Sequence, residues 1–172
     1  MSSDEVRIPR ERIAVLIGKN GKDKKLLEKK TNTRLRVDSE EGLITIEGEA
    51  IDVFNAKPIV KAIGRGFRPE IAEGLLDEDY ILEIVNIKDF AKTKNDLVRI
   101  KARIIGRGGT CRENMEAMTK TEIVVYGKTV AIVGTIENCM IARQAIEKLL
   151  QGAKHGNVYK FVEKKFKNSA IE

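Results

Sequence analysis

Ile104-Ile105-Gly106-Arg107-Gly108-Gly109-Thr110 is the stretch on which the reading of this chain turns. Upstream of it, residues 95–105 place apolar side chains at Leu97, Val98, Ile100, Ala102, Ile104 and Ile105, a mostly helical spacing. Downstream, a helix is expected over 111–118, capped by Thr110, with Glu113 at the capping-box position and Met115 and Met118 turned inward. Two helices therefore meet at a glycine-rich corner. Glycine admits positive φ and lets another backbone come close. The second helix directs its N-terminal amides and the positive end of its dipole at whatever lies against the corner. Arg107 adds a full positive charge, so the corner suits a phosphate backbone.

The same corner occurs earlier. Leu16-Ile17-Gly18-Lys19-Asn20-Gly21-Lys22 aligns with it at a constant offset of 88. The alignment continues without a gap: Leu27 over Met115, Glu28 over Glu116, Thr31 over Thr119, Thr33 over Thr121, and Leu35-Arg36-Val37 over Ile123-Val124-Val125. After a turn of different length it resumes, Gly48 over Gly134 and Ala56 over Ala142. A repeat of this length means two copies of one domain. Each holds roughly 70 to 80 residues, enough to fold alone but only marginally.

Composition narrows the class. Of 172 residues 34% are charged, and the formal net charge of +6 favours an anionic partner. No run of about 20 apolar residues and no hydrophobic signal core is present, so a soluble, cytoplasmic protein without membrane contact is expected. Cys111 and Cys139, with the single histidine His155, give no metal-site spacing. Both cysteines read as small apolar residues, in reduced form, on helix faces. Neither a metal nor a cofactor is expected.

In order along the chain, Val6-Arg7-Ile8 reads as a strand stopped by Pro9, followed by a helix over 11–17 and the first corner. A helix over 22–31 turns Leu26 and Leu27 inward and carries Lys22, Lys24, Lys25, Lys29 and Lys30 around the rest. Strands over 33–38 and 43–47 form a hairpin. A helix over 51–65 includes Val53, Phe54 and Ile59, with Pro58 expected to kink or split it near Asn55. Pro69 fits the first turn of a short helix reaching Leu75 or Leu76. This connector, with Phe67, Ile71, Leu75 and Leu76, is too apolar for a free tether, so docked domains are expected. The second copy opens with a strand over 80–87 and an insertion over 88–94. The helix–corner–helix unit then repeats, followed by a hairpin around Tyr126-Gly127-Lys128 and a helix over 137–150 bearing Met140 and Ile141. A basic segment over 157–167 shows helical spacing of Val158, Phe161, Val162 and Phe166. The boundaries expected are 1–66 and 80–152 for the two domains, 67–79 for the connector and 153–172 for a basic, partly helical C-terminal tail.

Each copy is thus an α+β domain, a three-stranded sheet with three helices on one face. That order, with Gly18-Lys19-Asn20-Gly21 and Gly106-Arg107-Gly108-Gly109 between the first two helices, resembles the type I KH domain, in which a GXXG loop clamps about four backbone nucleotides of a single strand. Four such residues are weak evidence, but two copies in the right element order are strong. A closer resemblance covers nearly the whole chain. Leu82-Glu83-Ile84-Val85-Asn86-Ile87, Val124-Val125-Tyr126-Gly127-Lys128-Thr129-Val130 and Gly152-Ala153-Lys154-His155-Gly156-Asn157-Val158-Tyr159-Lys160 are similar to the archaeal members of the Partner-of-Nob family, two-KH assembly factors of the small ribosomal subunit. The resemblance implies binding near the 3′ end of the small-subunit rRNA, beside the Nob-type endonuclease that trims it. Eukaryotic relatives tend to have a degraded first corner, whereas both glycines stand here, so the first domain is not taken as silent towards RNA.

The resemblance assigns RNA contact to Gly18, Lys19, Asn20, Gly21 and Lys22, and to Gly106, Arg107, Gly108, Gly109, Thr110 and Arg112, with Lys24 as a further contact. Ile17 and Leu35, and Ile105 and Ile123, are the candidate floor for bases, each weighed against a role in the core; Leu16, Val37, Ile104 and Val125 are weighed in the same way. A cation at the tip of a glycine corner has little structural purpose, whereas the lysines of 22–30 also read as a solvated face. Tyr126 is the one aromatic placed to reach RNA. Phe54, Phe67, Phe90, Phe161 and Phe166 read as packing residues and His155 as a loop residue. Enzyme readings fail on spacing: a P-loop needs four residues between its first glycine and Gly-Lys-Ser/Thr, after a strand. Gly18-Lys19-Asn20-Gly21-Lys22-Asp23 has two, follows a helix and lacks the hydroxyl. Two alternatives stay open, a KH-fold protein adaptor and a general binder of single-stranded mRNA or DNA. An adaptor has no reason to keep charge and both glycines at each corner.

Overall fold

A computed structural model describes residues 1–171, with side chains through residue 169. The chain divides between residues 80 and 81 into two compact units. The first comprises β1 (Ser2–Arg7), α1 (Arg10–Ile17), α2 (Lys22–Thr31), β2 (Arg34–Asp38), β3 (Leu43–Gly48) and α3 (Ala50–Gly64). It continues through the single turn α4 (Pro69–Ala72) and a 3₁₀ turn at Glu73–Leu76. The second comprises β4 (Tyr80–Asn86), α5 (Lys94–Ile105), α6 (Thr110–Thr119), β5 (Glu122–Tyr126), β6 (Thr129–Thr135), α7 (Ile136–Leu150) and α8 (His155–Ile171). The element order expected from the repeat is present twice.

Each unit builds a three-stranded sheet with its last strand in the middle, β1-β3-β2 and β4-β6-β5. β3 runs antiparallel to both neighbours, pairing Ile44 with Val6 and with Val37, and Ile46 with Leu35. Alternation along the strands puts Val6, Leu35, Ile44 and Ile46 on one buried face, under the helices. In the second unit, Val85, Ile100, Ile104, Met115, Ile123, Ile132 and Ile146 form the equivalent core.

Several side chains differ from expectation. Leu26, Phe54, Val98 and Met140 face solvent, Phe54 at 73% exposure, because each sits one position off the stripe its helix buries. α3 passes Pro58 without a break. An interior proline costs about 3 kcal/mol, but Ile59, Val60 and Ile63 of the same helix are fully buried, and each such side chain contributes about 1.5–3 kcal/mol. Burial outweighs the lost hydrogen bond. The segment read as a basic tail is α8, whose Val158 and Val162 are completely buried in the second core, with Phe161 and Phe166 packed at its edge. His155, read as a loop residue, is the first residue of that helix. Cys111 and Cys139 are free and buried on α6 and α7. No helix among the described residues is long and apolar enough to cross a membrane.

Candidate nucleic-acid interface

The two corners share one backbone. Gly18 has φ 74° and ψ 176°, against 77° and 174° at Gly106. Asn20 (58°, 26°) matches Gly108 (62°, 22°), and Gly21 (77°, 11°) matches Gly109 (81°, 7°). The same hydrogen bonds close each corner: the Gly18 and Gly106 amides donate to the Ala14 and Ala102 carbonyls at 2.9 and 2.8 Å. The Gly21 and Gly109 amides donate to the Gly18 and Gly106 carbonyls, both at 3.2 Å. Positive φ with extended ψ at the first position is a conformation essentially restricted to glycine. The third position is left-handed, which asparagine tolerates, and Asn20 stands there.

After the corner, α2 and α6 begin at a left-handed glycine, without a side-chain cap. Thr110, expected as the cap, is instead the first residue of α6, and its hydroxyl donates back to the Arg107 carbonyl. Neither helix N-terminus is capped by a side chain, although Asp23 and Glu113 stand in the two first turns. Lys19 and Arg107, at the tips, are exposed and make no ion pair among the described residues. Lys22 is likewise exposed and unpaired, whereas Lys24 pairs with Glu28 at 3.5 Å and Arg112 with Glu116.

The floor beside each corner is narrower than expected. Leu35 and Ile123 are 2% and 1% exposed and belong to the cores, as do Leu16 and Ile104, so none of the four offers surface to a base. A two-layer domain of this size has no other residues with which to fill those positions. Ile17, Val37, Ile105 and Val125 are half-buried and keep some apolar surface. Tyr126 is half-buried at the end of β5, and the hairpin turn itself is Gly127-Lys128.

A polar brace fixes the strand side of each cleft. Glu28 Oε2 accepts the Leu35 amide at 2.8 Å, and Glu116 Oε2 accepts the Ile123 amide at 2.9 Å. The buried hydroxyl pairs Thr31–Thr33 and Thr119–Thr121 both stand at 2.7 Å. Each brace ties the first residues of β2 or β5 to the helix that leaves the corner. Burial raises the Glu116 carboxyl above its ordinary range, while the Ile123 amide and Arg112 pull it back. The repeat had aligned all three residue pairs, but nothing in their type alone announced the role.

The corners differ in chemistry. Position 23 of the first is Asp, and a Cβ added to Gly18 would lie 2.2 Å from its Oδ2. A carboxylate thus rests against the first corner, at the helix N-terminus where an anion would sit. The aligned residue of the second is Cys111, which is neutral. Beside the second corner stand His155, read from the sequence as a loop residue, and Tyr159, given no site role there, one helical turn apart on α8.

Comparison with known proteins agrees with this geometry. The family model described as the eukaryotic-type KH domain, type I, in its PNO1 second-domain form, matches residues 81–167, and the general KH-domain model matches residues 3–62. A KH domain-containing protein of Methanocaldococcus jannaschii is 44% identical over 95% of this chain and 74% of its own length. The pre-rRNA-processing protein PNO1 of Chaetomium thermophilum is 35% identical over 72% of this chain, which spans 48% of that protein. Dim2p of Pyrococcus horikoshii OT3, solved in complex with a/eIF2alpha and rRNA, superposes with a TM-score of 0.90 at 45% identity, covering 97% of this chain and 95% of that one. With KH domains matched in both halves and the second of them of the PNO1 form, this chain belongs to the PNO1-type family of type I KH-domain proteins.

Proposed function

We propose that this protein binds single-stranded RNA through its two glycine corners and acts as a small-subunit ribosome assembly factor. Phosphates lie along Gly18–Lys22 and along Gly106–Thr110 with Arg112, and bases lie over Ile17 and Val37 or Ile105 and Val125. The observation that carries this is the pair of uncapped helix N-termini, each behind a glycine corner and topped by an unpaired cation. The RNA we infer is the 3′-end region of the small-subunit rRNA. Support comes from relatives named as pre-rRNA-processing proteins and from the complex of Dim2p with rRNA. On this reading the protein works in the cytoplasm, beside a Nob-type endonuclease, by holding RNA and without chemistry of its own.

The test is fluorescence anisotropy with the 3′-terminal rRNA oligonucleotide and a scrambled oligonucleotide of equal composition. The natural sequence is expected to bind more tightly. At about 0.7 per phosphate and roughly four phosphates per corner, the logarithmic salt slope should be about −3 for one corner and twice that for two. Arg107→Asp with Gly108→Asp, and Lys19→Asp with Asn20→Asp, should each remove one corner while leaving the fold intact, since all four positions are exposed. Equal affinity for both oligonucleotides would overturn the ribosomal assignment, and normal binding by the fourfold variant would overturn the corner itself.

A further inference from the structure

A cavity of about 660 Å³ opens beside the second corner, walled by Arg99 and Arg103 of α5, Arg107 at the corner tip, Cys111 of α6, and His155 and Tyr159 of α8. The proposed base floor uses Ile105 and Val125, and neither of these nor any residue of β5 lines this cavity. It is a second face of the same corner, closed by a helix that follows the repeat. In the first unit only the short turns over Pro69–Leu76 follow α3, and at the positions aligned with Arg99 and Arg103 it carries Glu11 and Val15.

The walls have defined chemistry. The His155 and Tyr159 rings stack with centroids 6.4 Å apart and planes at 29°. His155 Nε2 donates to the Arg103 carbonyl at 3.0 Å, which orients the ring and leaves Nδ1 as an acceptor while the imidazole is neutral. The Arg103 guanidinium donates to the Gly152 and Ala153 carbonyls, so its charge is fixed on the wall rather than carried on a free chain. Arg99 is an exposed cation at the rim, paired with Asp96 at 3.3 Å. The cavity is large enough for a nucleotide, within the ordinary range of ligand sites. Three guanidinium groups beside an aromatic pair are the complement of a phosphate joined to a base.

We propose that this cavity takes a further nucleotide of the bound RNA strand, one adjoining those on the second corner, with its base against Tyr159 and His155 and its phosphate on Arg99 and Arg103. The proposal rests on the corner binding RNA and extends it. The strand passes over Arg107, which lines both faces, and the second domain thereby reads one position more than its cleft alone provides. Because the cavity is built from α8 and from arginines absent in the first copy, that extra position exists only in the second domain.

The experiment uses the full chain, a ten-nucleotide single strand and a four-nucleotide strand that the corner alone accommodates. Tyr159→Leu keeps an apolar side chain against the core while removing the stack; Arg99→Glu changes an exposed residue and leaves folding intact. On the ten-mer, Tyr159→Leu should weaken binding about 5- to 150-fold, the span for loss of one base stack. Arg99→Glu should lower the magnitude of its salt slope by about 0.7. Neither should move the four-mer by more than about twofold. A 4-thiouridine next to the corner-bound segment should crosslink to residues 155–159. If both variants bind the ten-mer like the wild type while Arg107→Asp with Gly108→Asp weakens it, the cavity proposal is overturned and the corner reading stands. If the fourfold corner variant binds normally, both fall. Adenosine monophosphate is the control for the source of the nucleotide: affinity for it equal to that for the ten-mer would overturn the reading as part of a strand.

Discussion

Replacing Gly106 with alanine should be far more damaging than replacing Gly108 with asparagine, although the two glycines are two residues apart. At Gly106 an added Cβ would stand 2.6 Å from the Cys111 amide nitrogen and 2.7 Å from its Cβ, atoms held by the first turn of α6. The backbone there also sits at φ 77° and ψ 174°. Such a conformation costs a non-glycine residue about 1–3 kcal/mol, and forcing in an atom adds about as much again. Near the lower end of that sum, about 3 kcal/mol corresponds to roughly a 100-fold change in an opening equilibrium. At Gly108 nothing lies within 4 Å of an added Cβ. The first copy already holds Asn20 at the same angles, so Gly108→Asn should stay within about 1 kcal/mol of wild type. Cys139 provides a readout confined to the second unit. Its thiol is free and fully buried, and burial pushes it up to about 12, so it reacts with thiol reagents only when that unit opens. The rate of Cys139 labelling near pH 8, followed by mass spectrometry, should rise about 100-fold in Gly106→Ala and by less than tenfold in Gly108→Asn. Equal rates in the two variants, or a wild-type rate in Gly106→Ala, would refute the reasoning.

Glu116→Ala removes the acceptor of the Ile123 amide and should destabilise the second unit by about 1–3 kcal/mol, visible as faster Cys139 labelling; Glu28→Ala, its counterpart, should leave that rate unchanged. With the second corner disabled by Arg107→Asp and Gly108→Asp, Asp23→Cys should tighten RNA binding at the first corner about two- to fivefold, the gain from clearing a carboxylate off a helix N-terminus; unchanged anisotropy titrations would count against it. The Cys139 thiol is raised above its unfolded value, so its contribution to stability is fully present below about pH 8.5 and is lost as pH rises towards 12. Urea melts of wild type and Cys139→Ala should therefore diverge between pH 8 and 10, the wild type losing about 2 kcal/mol more; parallel pH dependences would contradict this.

What the sequence disclosed and what it withheld follow from range. The corner, the repeat and every helix and strand of the two domains were legible because periodicity and glycine placement are local. The pattern also told inward from outward well where apolar residues recur cleanly, as at Leu27 and Met115. It failed at Leu26, Phe54 and Met140, where an apolar residue beside the stripe has nothing to mark it as exposed. The floor of the site was overdrawn for a similar reason: Leu35 and Ile123 alternate with their neighbours whether they face a base or the core, and only the packed helices decide. Contacts between distant elements were invisible. Arg12 bonds the Ile63 and Phe67 carbonyls at the end of α3, and Arg103 does the same job at the end of α7 from a position not aligned with it. No offset in the repeat could have paired them.

The two corners match in angle, so the difference between the domains lies in what surrounds an identical loop. In the first, Lys19, Lys22, Lys25 and Lys29 stand exposed along or before α2, and Asp23 rests against the turn itself. Flexible exposed lysines supply attraction that any phosphate chain satisfies and that salt screens. In the second, Asp23 has become Cys111, the lysines have mostly gone, and the charge is carried by Arg107 with Arg99 and Arg103 around an orienting aromatic pair. An arginine held at a fixed point beside a stacking surface, as Arg103 is, favours one arrangement of phosphate and base over others. On the proposed reading, both domains therefore contribute salt-dependent affinity and the second supplies most of the selectivity. A swap of the Lys22–Thr31 helix for one with fewer lysines should flatten the salt slope without changing the ratio of natural to scrambled RNA.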